Sequence, residues 1–293
     1  MPAKTKLKRE NISGPTFALA LGGGGARGLA HIHVIETLDE LGIRPTAISG
    51  SSIGAIMGSA MAAGVSGKEV RAHALEVLAN RAEVMNRVWQ LRPKSIAGVI
   101  SGAFKMTQFD IERVLAVFLP KEIPETFAAL KIPLQITATD FYGQSEVTFS
   151  KGDLYSAIAA SAAIPALFKP VLRDGRILID GGIYNPVPFD LLEGKADFVI
   201  AIDVVGGPEG DAGRMPGSID SMFGASQLMM QSIVAMKLKA HPPAIFLRPA
   251  VNRFRVMDFL KVNTLLNETA AIRDELKRAI DGAIAFSEIR KKG

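Results

Sequence analysis

The segment Gly-Ser-Ser-Ile-Gly at residues 50–54 carries a residue type that can form a covalent bond with a substrate. It follows a short apolar run and precedes small residues, which is the strand–turn–helix setting of a Gly-x-Ser-x-Gly nucleophile elbow. Such a turn exposes the hydroxyl of its central serine, here Ser52, for attack on a carbonyl carbon. The pattern predicts a serine nucleophile, which needs a base to take its proton.

Histidine is the usual base for a serine, but none of the four histidines stands in a typical catalytic setting. His31 and His33 lie two residues apart on a predicted helix, so they point to different faces and do not form a ready metal pair. We expect His31 to support the preceding loop and His33 to pack or to lie at the surface. His73 has apolar helical neighbours, and His241 ends a helix, where it favours the dipole.

A carboxylate is the better candidate for the base. Asp180 ends the apolar run R-I-L-I and is followed by two glycines, which let the backbone turn sharply. The ends of parallel strands share one edge of a sheet, so we expect Asp180 at the edge that carries Ser52. The alternative is a purely structural Asp-Gly-Gly turn. Asp140 and Asp203 also end predicted strands and are competing carboxylates.

The glycine-rich loop at residues 22–28, G-G-G-G-A-R-G, has two interpretations. Its Gly-x-Gly-x-x-Gly spacing suits a dinucleotide-binding turn, but that site wants an acidic residue at the end of the second strand. That strand ends in Ile48-Ser49-Gly50, without a carboxylate. The other interpretation is an oxyanion hole, in which backbone N–H groups at a helix N-terminus bind a negative oxygen. We favour the oxyanion hole over a tight connection that binds nothing.

The elements that position these residues alternate between strands and helices. Alternation of this kind predicts an α/β fold with a mostly parallel central sheet covered on both faces. The predicted strands are Phe17–Leu21, Ala47–Ser49, Leu134–Thr139, Glu146–Phe149, Ile177–Ile179, Phe198–Ile202 and Ala244–Leu247. The predicted helices are Leu29–Leu41, Ala55–Ala63, Lys68–Leu78, Asp110–Phe118, Leu154–Ser161 and Ser218–Ala240.

Composition narrows the class of protein further. The net charge is +5, but seven basic residues lie in the two tails, so solvated ends are favoured over attraction to anionic lipid. We expect no nucleic-acid partner, and peripheral contact with a membrane stays open. The absence of cysteine excludes a disulfide scaffold and a thiol nucleophile. No linker divides the chain, so we predict a basic, flexible tail at 1–14 and a single domain at 15–293. The absence of cysteine is compatible with the cytoplasmic location that we expect.

Four motifs together resemble one family. G-G-G-G-A-R-G, G-S-S-I-G, A-S-A-A-I-P and D-G-G occur here in the order seen in patatin-like phospholipases. The resemblance implies a three-layer α/β/α patatin-like fold and a serine lipid acyl hydrolase with a Ser–Asp dyad, without metal or cofactor. Carried onto this chain, it implies Ser52 as nucleophile and Asp180 as base. The oxyanion hole would involve the loop residues Gly23, Gly24, Gly25 and Arg27.

The expected substrates are carboxylic esters of phospholipids or lysophospholipids, cleaved through an acyl-enzyme. Met222, Met229 and Met230 either line an acyl-binding groove or pack in the core. Residues 87–107 are either a lid, with Ile96–Phe104 touching a bilayer, or a packed segment. The alternative functions are an acyltransferase of the same fold and a non-catalytic regulator that binds lipid or nucleotide. The sequence leaves head-group preference and oligomeric state open.

Overall fold

A computed structural model describes residues 14–79, 82, 108–210, 213 and 215–292 of the chain. The predicted basic tail, apart from Gly14, lies outside the described residues. The segment 87–107, predicted as a lid or a packed segment, also lies outside them.

One eight-stranded sheet runs through the described chain, with strand order β5-β6-β3-β2-β1-β7-β8 and β4 paired to β3. Strands β2, β1, β7 and β8 run parallel to β3, whereas β4, β5 and β6 form antiparallel pairs. The strand bounds are β1 Phe17–Leu21, β2 Ile48–Ser51, β3 Leu134–Asp140, β4 Ser145–Phe149, β5 Val171–Arg173, β6 Arg176–Ile179, β7 Phe198–Ile202 and β8 Ile245–Leu247. The predicted mostly parallel α/β sheet is confirmed.

Both faces of this sheet are covered, which gives three layers. In β1, Phe17, Leu19 and Leu21 point into the larger core, which also receives the first three helices. Ala18 and Ala20 point into a smaller core, which holds Val234 of the sixth helix. The helices are α1 His31–Glu40, α2 Ile53–Ala63, α3 Gly67–Leu78, α4 Ile111–Phe118, α5 Leu154–Ser161, α6 Ser218–Ala240, α7 Val262–Glu268 and α8 Ile272–Lys292.

The path of β6 differs from the expectation that led to Asp180. This strand is antiparallel to β3, so the argument from the ends of parallel strands was wrong for it. Because β4 pairs with β3 over Ile136–Asp140, β6 must lie on the same side of β3 as β2, beyond the end of β2. The two strands therefore meet end to end, and Asp180 arrives at the end of β2 from the opposite direction.

All thirteen predicted elements are present, and four have the predicted bounds: β1, α5, α6 and β7. Strand β5 and the two C-terminal helices were not predicted. Helix α8 has a signal that could have found it, since Ile272, Leu276 and Ile280 recur every four residues and all three are buried. Within the described ranges, no helix has the length and hydropathy needed to cross a membrane.

Candidate active site

The turn between β2 and α2 holds Ser52 in an unusual backbone conformation. Its φ of 54° and ψ of −122° are rarely adopted by a residue with a side chain, and such strain is concentrated at functional sites. Gly54 permits the turn because a Cβ there would lie 2.0 Å from the Leu21 carbonyl oxygen of β1. The Gly-x-Ser-x-Gly spacing thus places Ser52 at the N-terminus of α2 and beside the end of β1.

Ser52 and Asp180 are in direct contact. The Ser52 hydroxyl donates a hydrogen bond to Oδ2 of Asp180 at 2.6 Å, and the Gly182 N–H donates to Oδ1 at 2.8 Å. Both residues are 4% exposed. Burial raises the pKa of Asp180 from 3.8 to about 6, although the hydrogen bonds from Ser52 and Gly182 oppose that rise. This carboxyl group can therefore exchange a proton near neutral pH.

The competing carboxylates are engaged elsewhere. Asp140 accepts a hydrogen bond from the Gly143 N–H and lies 3.8 Å from the Arg176 guanidinium. Asp203 accepts from Nε of Arg248 at 2.7 Å and from the Val205 N–H at 2.9 Å.

Three of the four histidine rings bind backbone carbonyl groups. His31 lies against the glycine loop, as expected, and its Nε2–H donates to the Gly22 carbonyl oxygen at 2.9 Å. Burial lowers the pKa of His31 to about 4, so its ring is neutral. His33 is buried beside the Leu266 carbonyl oxygen, which supports the packing alternative. His73 contacts the Phe118 carbonyl oxygen, and His241 follows the end of α6.

The glycine loop lines the same pocket as Ser52, with Gly23, Gly24 and Gly25 in its wall. The Gly23 N–H donates to the Pro186 carbonyl oxygen at 2.9 Å, so this amide is already occupied. Within the described residues, the Gly24 and Gly25 N–H groups have no acceptor. Of the predicted oxyanion donors, the Gly23 N–H is therefore engaged, whereas those of Gly24 and Gly25 are available to a ligand within the described part of the chain. The loop continues as a 3-10 helix over Gly25–Ala30 into α1.

Arg27 is buried at 2% exposure and ties the glycine loop to two other segments. Its Nε donates to the Phe254 carbonyl oxygen at 2.8 Å, and its guanidinium lies against the side-chain amide of Gln227 on α6. Burial lowers its pKa to about 10, while attraction to Asp258 and Asp203 opposes that change. The guanidinium therefore remains charged at neutral pH.

A pocket of about 150 Å³ opens onto Ser52 and Asp180. Its other lining residues are mostly apolar and include Ile164, Pro165 and Phe223. Met222 and Met230 line it, as the groove alternative expects, whereas Met229 is 61% exposed and does not. Neither Met222 nor Met229 is a core residue. The described residues include no cluster of three or more metal-ligating side chains.

Sequence reasoning missed the groups that hold the two central residues. The Ser52 N–H donates to Oγ of Ser161 at 2.8 Å, and the Thr139 hydroxyl donates to the Asp180 carbonyl oxygen at 2.9 Å. Ser161 belongs to the A-S-A-A-I-P motif, which the sequence analysis used only for its resemblance to a family. That motif was the sequence signal from which a role for Ser161 could have been predicted.

A family profile described as patatin-like phospholipase matches residues 19–193, more than half of the chain. The chain belongs to the patatin-like phospholipase family. This membership confirms the resemblance drawn from the four motifs.

Two relatives align with this chain over only part of their own length. An uncharacterised NTE family protein of Mycobacterium tuberculosis is 38% identical over 217 residues, which cover 72% of this chain and 55% of that protein. Patatin-like phospholipase domain-containing protein 6 of Homo sapiens is 28% identical over 279 residues, covering 87% of this chain and 20% of that protein. The chain thus spans about half, or less, of the length of these curated relatives.

Solved structures share a more distant likeness. VipD from Legionella pneumophila aligns with a TM-score of 0.41 and 17% identity, covering 78% of this chain and 55% of that one. ExoU of Pseudomonas aeruginosa, solved with SpcU, aligns with a TM-score of 0.39 and 14% identity, covering 92% and 53% respectively. The family assignment rests on the sequence matches.

Proposed function

We propose that the protein is a serine lipid acyl hydrolase that cleaves carboxylic esters of phospholipids or lysophospholipids. The observation that carries the proposal is the 2.6 Å hydrogen bond from the Ser52 hydroxyl to Asp180 inside a mostly apolar pocket. Residues 15–293 would form one catalytic domain, which is supported by a single sheet that draws its strands from Phe17 to Leu247.

In the first half of the reaction, Asp180 takes the proton of the Ser52 hydroxyl as its oxygen attacks the ester carbonyl carbon. The N–H groups of Gly24 and Gly25 then stabilise the negative oxygen of the tetrahedral intermediate. Asp180 returns the proton to the leaving alcohol, and the acyl group remains on Ser52.

In the second half, Asp180 takes a proton from water, and the resulting hydroxide attacks the acyl-enzyme. Collapse of the new intermediate releases the fatty acid and returns the proton to Ser52. Arg27 holds the glycine loop against Phe254 and adds a positive charge beside the developing oxyanion.

The test is covalent labelling by a fluorophosphonate, followed by peptide mass spectrometry. We expect the label on the Ser52 peptide of the wild type, no label in Ser52→Ala and much slower labelling in Asp180→Asn. The control is Ser59→Ala, because Ser59 is also buried but donates its hydroxyl to the Ala55 carbonyl oxygen of its own helix. A folded wild-type protein that takes no label would refute the proposed dyad and favour a non-catalytic regulator.

We also propose that the outer face of α6 contacts a lipid surface. Between Ser221 and Met236 this helix has no charged residue. Met222, Leu228, Met229 and Met236 are 43%, 53%, 61% and 63% exposed. Met222 also lines the pocket, so the apolar face is continuous with the entrance to Ser52. A lipid ester that leaves a bilayer at this face would reach the pocket without crossing a charged surface.

Flotation with vesicles of phosphatidylcholine and phosphatidylglycerol tests this contact in a Ser52→Ala background, where no lipid is consumed. Met229→Glu and Met236→Glu should each reduce the bound fraction, whereas Ile289→Glu, at a 72% exposed position on α8, should not. Unchanged flotation would contradict the proposed contact. A change in oligomeric state by light scattering would instead assign the face to a second copy of the chain.

A further inference from the structure

The end of α5 touches both members of the Ser52–Asp180 pair. Ser161, the last residue of this helix, accepts a hydrogen bond from the Ser52 N–H through its Oγ at 2.8 Å. Two residues later, the Ala163 carbonyl oxygen accepts from the Asp180 N–H at 3.0 Å. The segment after it contributes Ile164 and Pro165 to the pocket wall. One short stretch of chain thus contacts the nucleophile, the carboxylate and the substrate space.

From these contacts we propose that Ser161 is a positioning residue, which holds the main chain of Ser52 so that its hydroxyl points at Asp180. The proposal rests on the proposed function and deepens it, because it assigns a role to a motif that the reaction itself does not use. Ser161 is fully buried, so it acts through Ser52 rather than on the substrate.

The backbone of Ser52 explains why such a contact is needed. A φ of 54° is strained for serine, and strained residues persist only when the surrounding structure holds them in place. The Ser52 carbonyl oxygen is held by the Ala55 N–H at 2.9 Å, inside the first turn of α2. On the other side of the residue, Ser161 is the group that holds the N–H. Without that acceptor the turn can relax toward an ordinary conformation and carry the hydroxyl away from Asp180.

The same contact selects the groups available for the oxyanion. In some serine hydrolases the N–H of the nucleophile is itself an oxyanion donor. Here Ser161 occupies that N–H, while the Gly24 and Gly25 N–H groups have no acceptor within the described chain. Because of this hydrogen bond, Ser52 contributes its hydroxyl as the nucleophile but not its N–H as an oxyanion donor. The N–H groups of the glycine loop would then stabilise the negative oxygen.

The test compares Ser161→Ala with Ser59→Ala. Both serines are fully buried and lie in helices beside the sheet, but Ser59 donates to the Ala55 carbonyl oxygen of its own helix at 2.7 Å. With a short-chain ester, Ser161→Ala should lower kcat about tenfold to a hundredfold and change KM less than twofold, since misplacement of a reacting group mainly affects the chemical step. Ser59→Ala should retain wild-type kcat.

A second measurement does not depend on turnover. The hydrogen bond from Ser52 lowers the pKa of Asp180, so a displaced Ser52 hydroxyl should raise that pKa further. NMR titration of carboxyl-labelled aspartate, with Asp180→Asn for assignment, should therefore show a higher pKa in Ser161→Ala than in the wild type. A wild type without turnover would refute the proposed function, yet the titration would still test the contact.

Three results would overturn the proposal. The first is an unchanged kcat together with an unchanged Asp180 pKa in folded Ser161→Ala. The second is an equal loss of kcat in Ser59→Ala. The third is an unfolded Ser161→Ala beside a folded Ser59→Ala, which would show a role in folding instead of positioning.

Discussion

Replacing Asp180 by asparagine should remove activity and at the same time stabilise the protein at neutral pH. The side chain keeps its shape, and its oxygen can still accept from the Gly182 N–H. What it loses is a buried negative charge that has no cationic partner among the described residues. The pKa of Asp180 rises from 3.8 to about 6 because burial disfavours that charge. Since one pKa unit is worth about 1.36 kcal/mol, the ionised carboxyl costs the folded state about 3 kcal/mol.

The sign and the pH window follow from the two pKa values. Below pH 3.8 the carboxyl is protonated in both the folded and the unfolded chain, and no stability is lost. Between pH 3.8 and about 6 the unfolded chain ionises first, so the wild type loses stability as the pH rises. The loss is complete above about pH 6. Asparagine does not ionise, so the Asp180→Asn protein lacks this loss.

Urea unfolding at pH 4.5 and pH 7.5 measures the effect. The free energy of unfolding of Asp180→Asn relative to wild type should grow by about 2 kcal/mol between the two pH values. Ser52→Ala is the matched control, because it is also inactive but keeps the carboxyl. Since it removes the hydrogen bond that lowers the pKa of Asp180, its free energy of unfolding should fall between the two pH values at least as much as that of the wild type. In parallel, wild-type kcat/KM should rise through a midpoint near pH 6, and Asp180→Asn should lose about a thousandfold or more in kcat.

Two results would refute the reasoning. One is a stability difference between Asp180→Asn and wild type that does not change with pH. The other is a wild-type kcat/KM that is equal at pH 5 and pH 8, since a buried base with this pKa must be deprotonated to act.

Three further predictions concern the glycine loop, the substrate bond and Arg27. A Cβ in Gly24→Ala would lie 2.2 Å from the Val204 carbonyl oxygen, so the loop must move. We therefore expect kcat to fall about 10²- to 10³-fold in steady-state assays. A folded, fully active variant would contradict this. Esters should be cleaved well above amides of matched acyl chains, because the dyad has no imidazole to deliver a proton to the poor amine leaving group; equal rates would count against the dyad. Arg27→Met should lower the free energy of unfolding in urea by about 1–3 kcal/mol, since the buried Phe254 carbonyl oxygen loses its hydrogen-bond donor. Unchanged stability would show that this hydrogen bond does not stabilise the fold.

Local patterns predicted most of the elements. Strands β1 and β7 are short apolar runs bounded by polar residues and glycine, and α5 ends shortly before Pro165. Strand β5 was not predicted because its three residues, Val171–Arg173, are too few to show an alternating pattern. Among the described strands it pairs with β6 alone. The antiparallel direction of β6 was not predicted either, because the four residues of this strand carry no local signal for the strand with which it pairs.

For the site, the sequence by itself determined the chemical types: a serine on a glycine-bounded turn, a carboxylate before two glycines and a loop rich in backbone donors. These are local features, because turn geometry depends on the residues of the turn. Tertiary structure alone decided which groups meet. Ser52 and Asp180 are 128 residues apart in the sequence. Their 2.6 Å contact exists because the C-terminal ends of β2 and β6 meet beside β3. It also decided that Pro186 occupies the Gly23 N–H and that Ser161 occupies the Ser52 N–H, because hydrogen-bond partners are set by distance in space rather than along the chain.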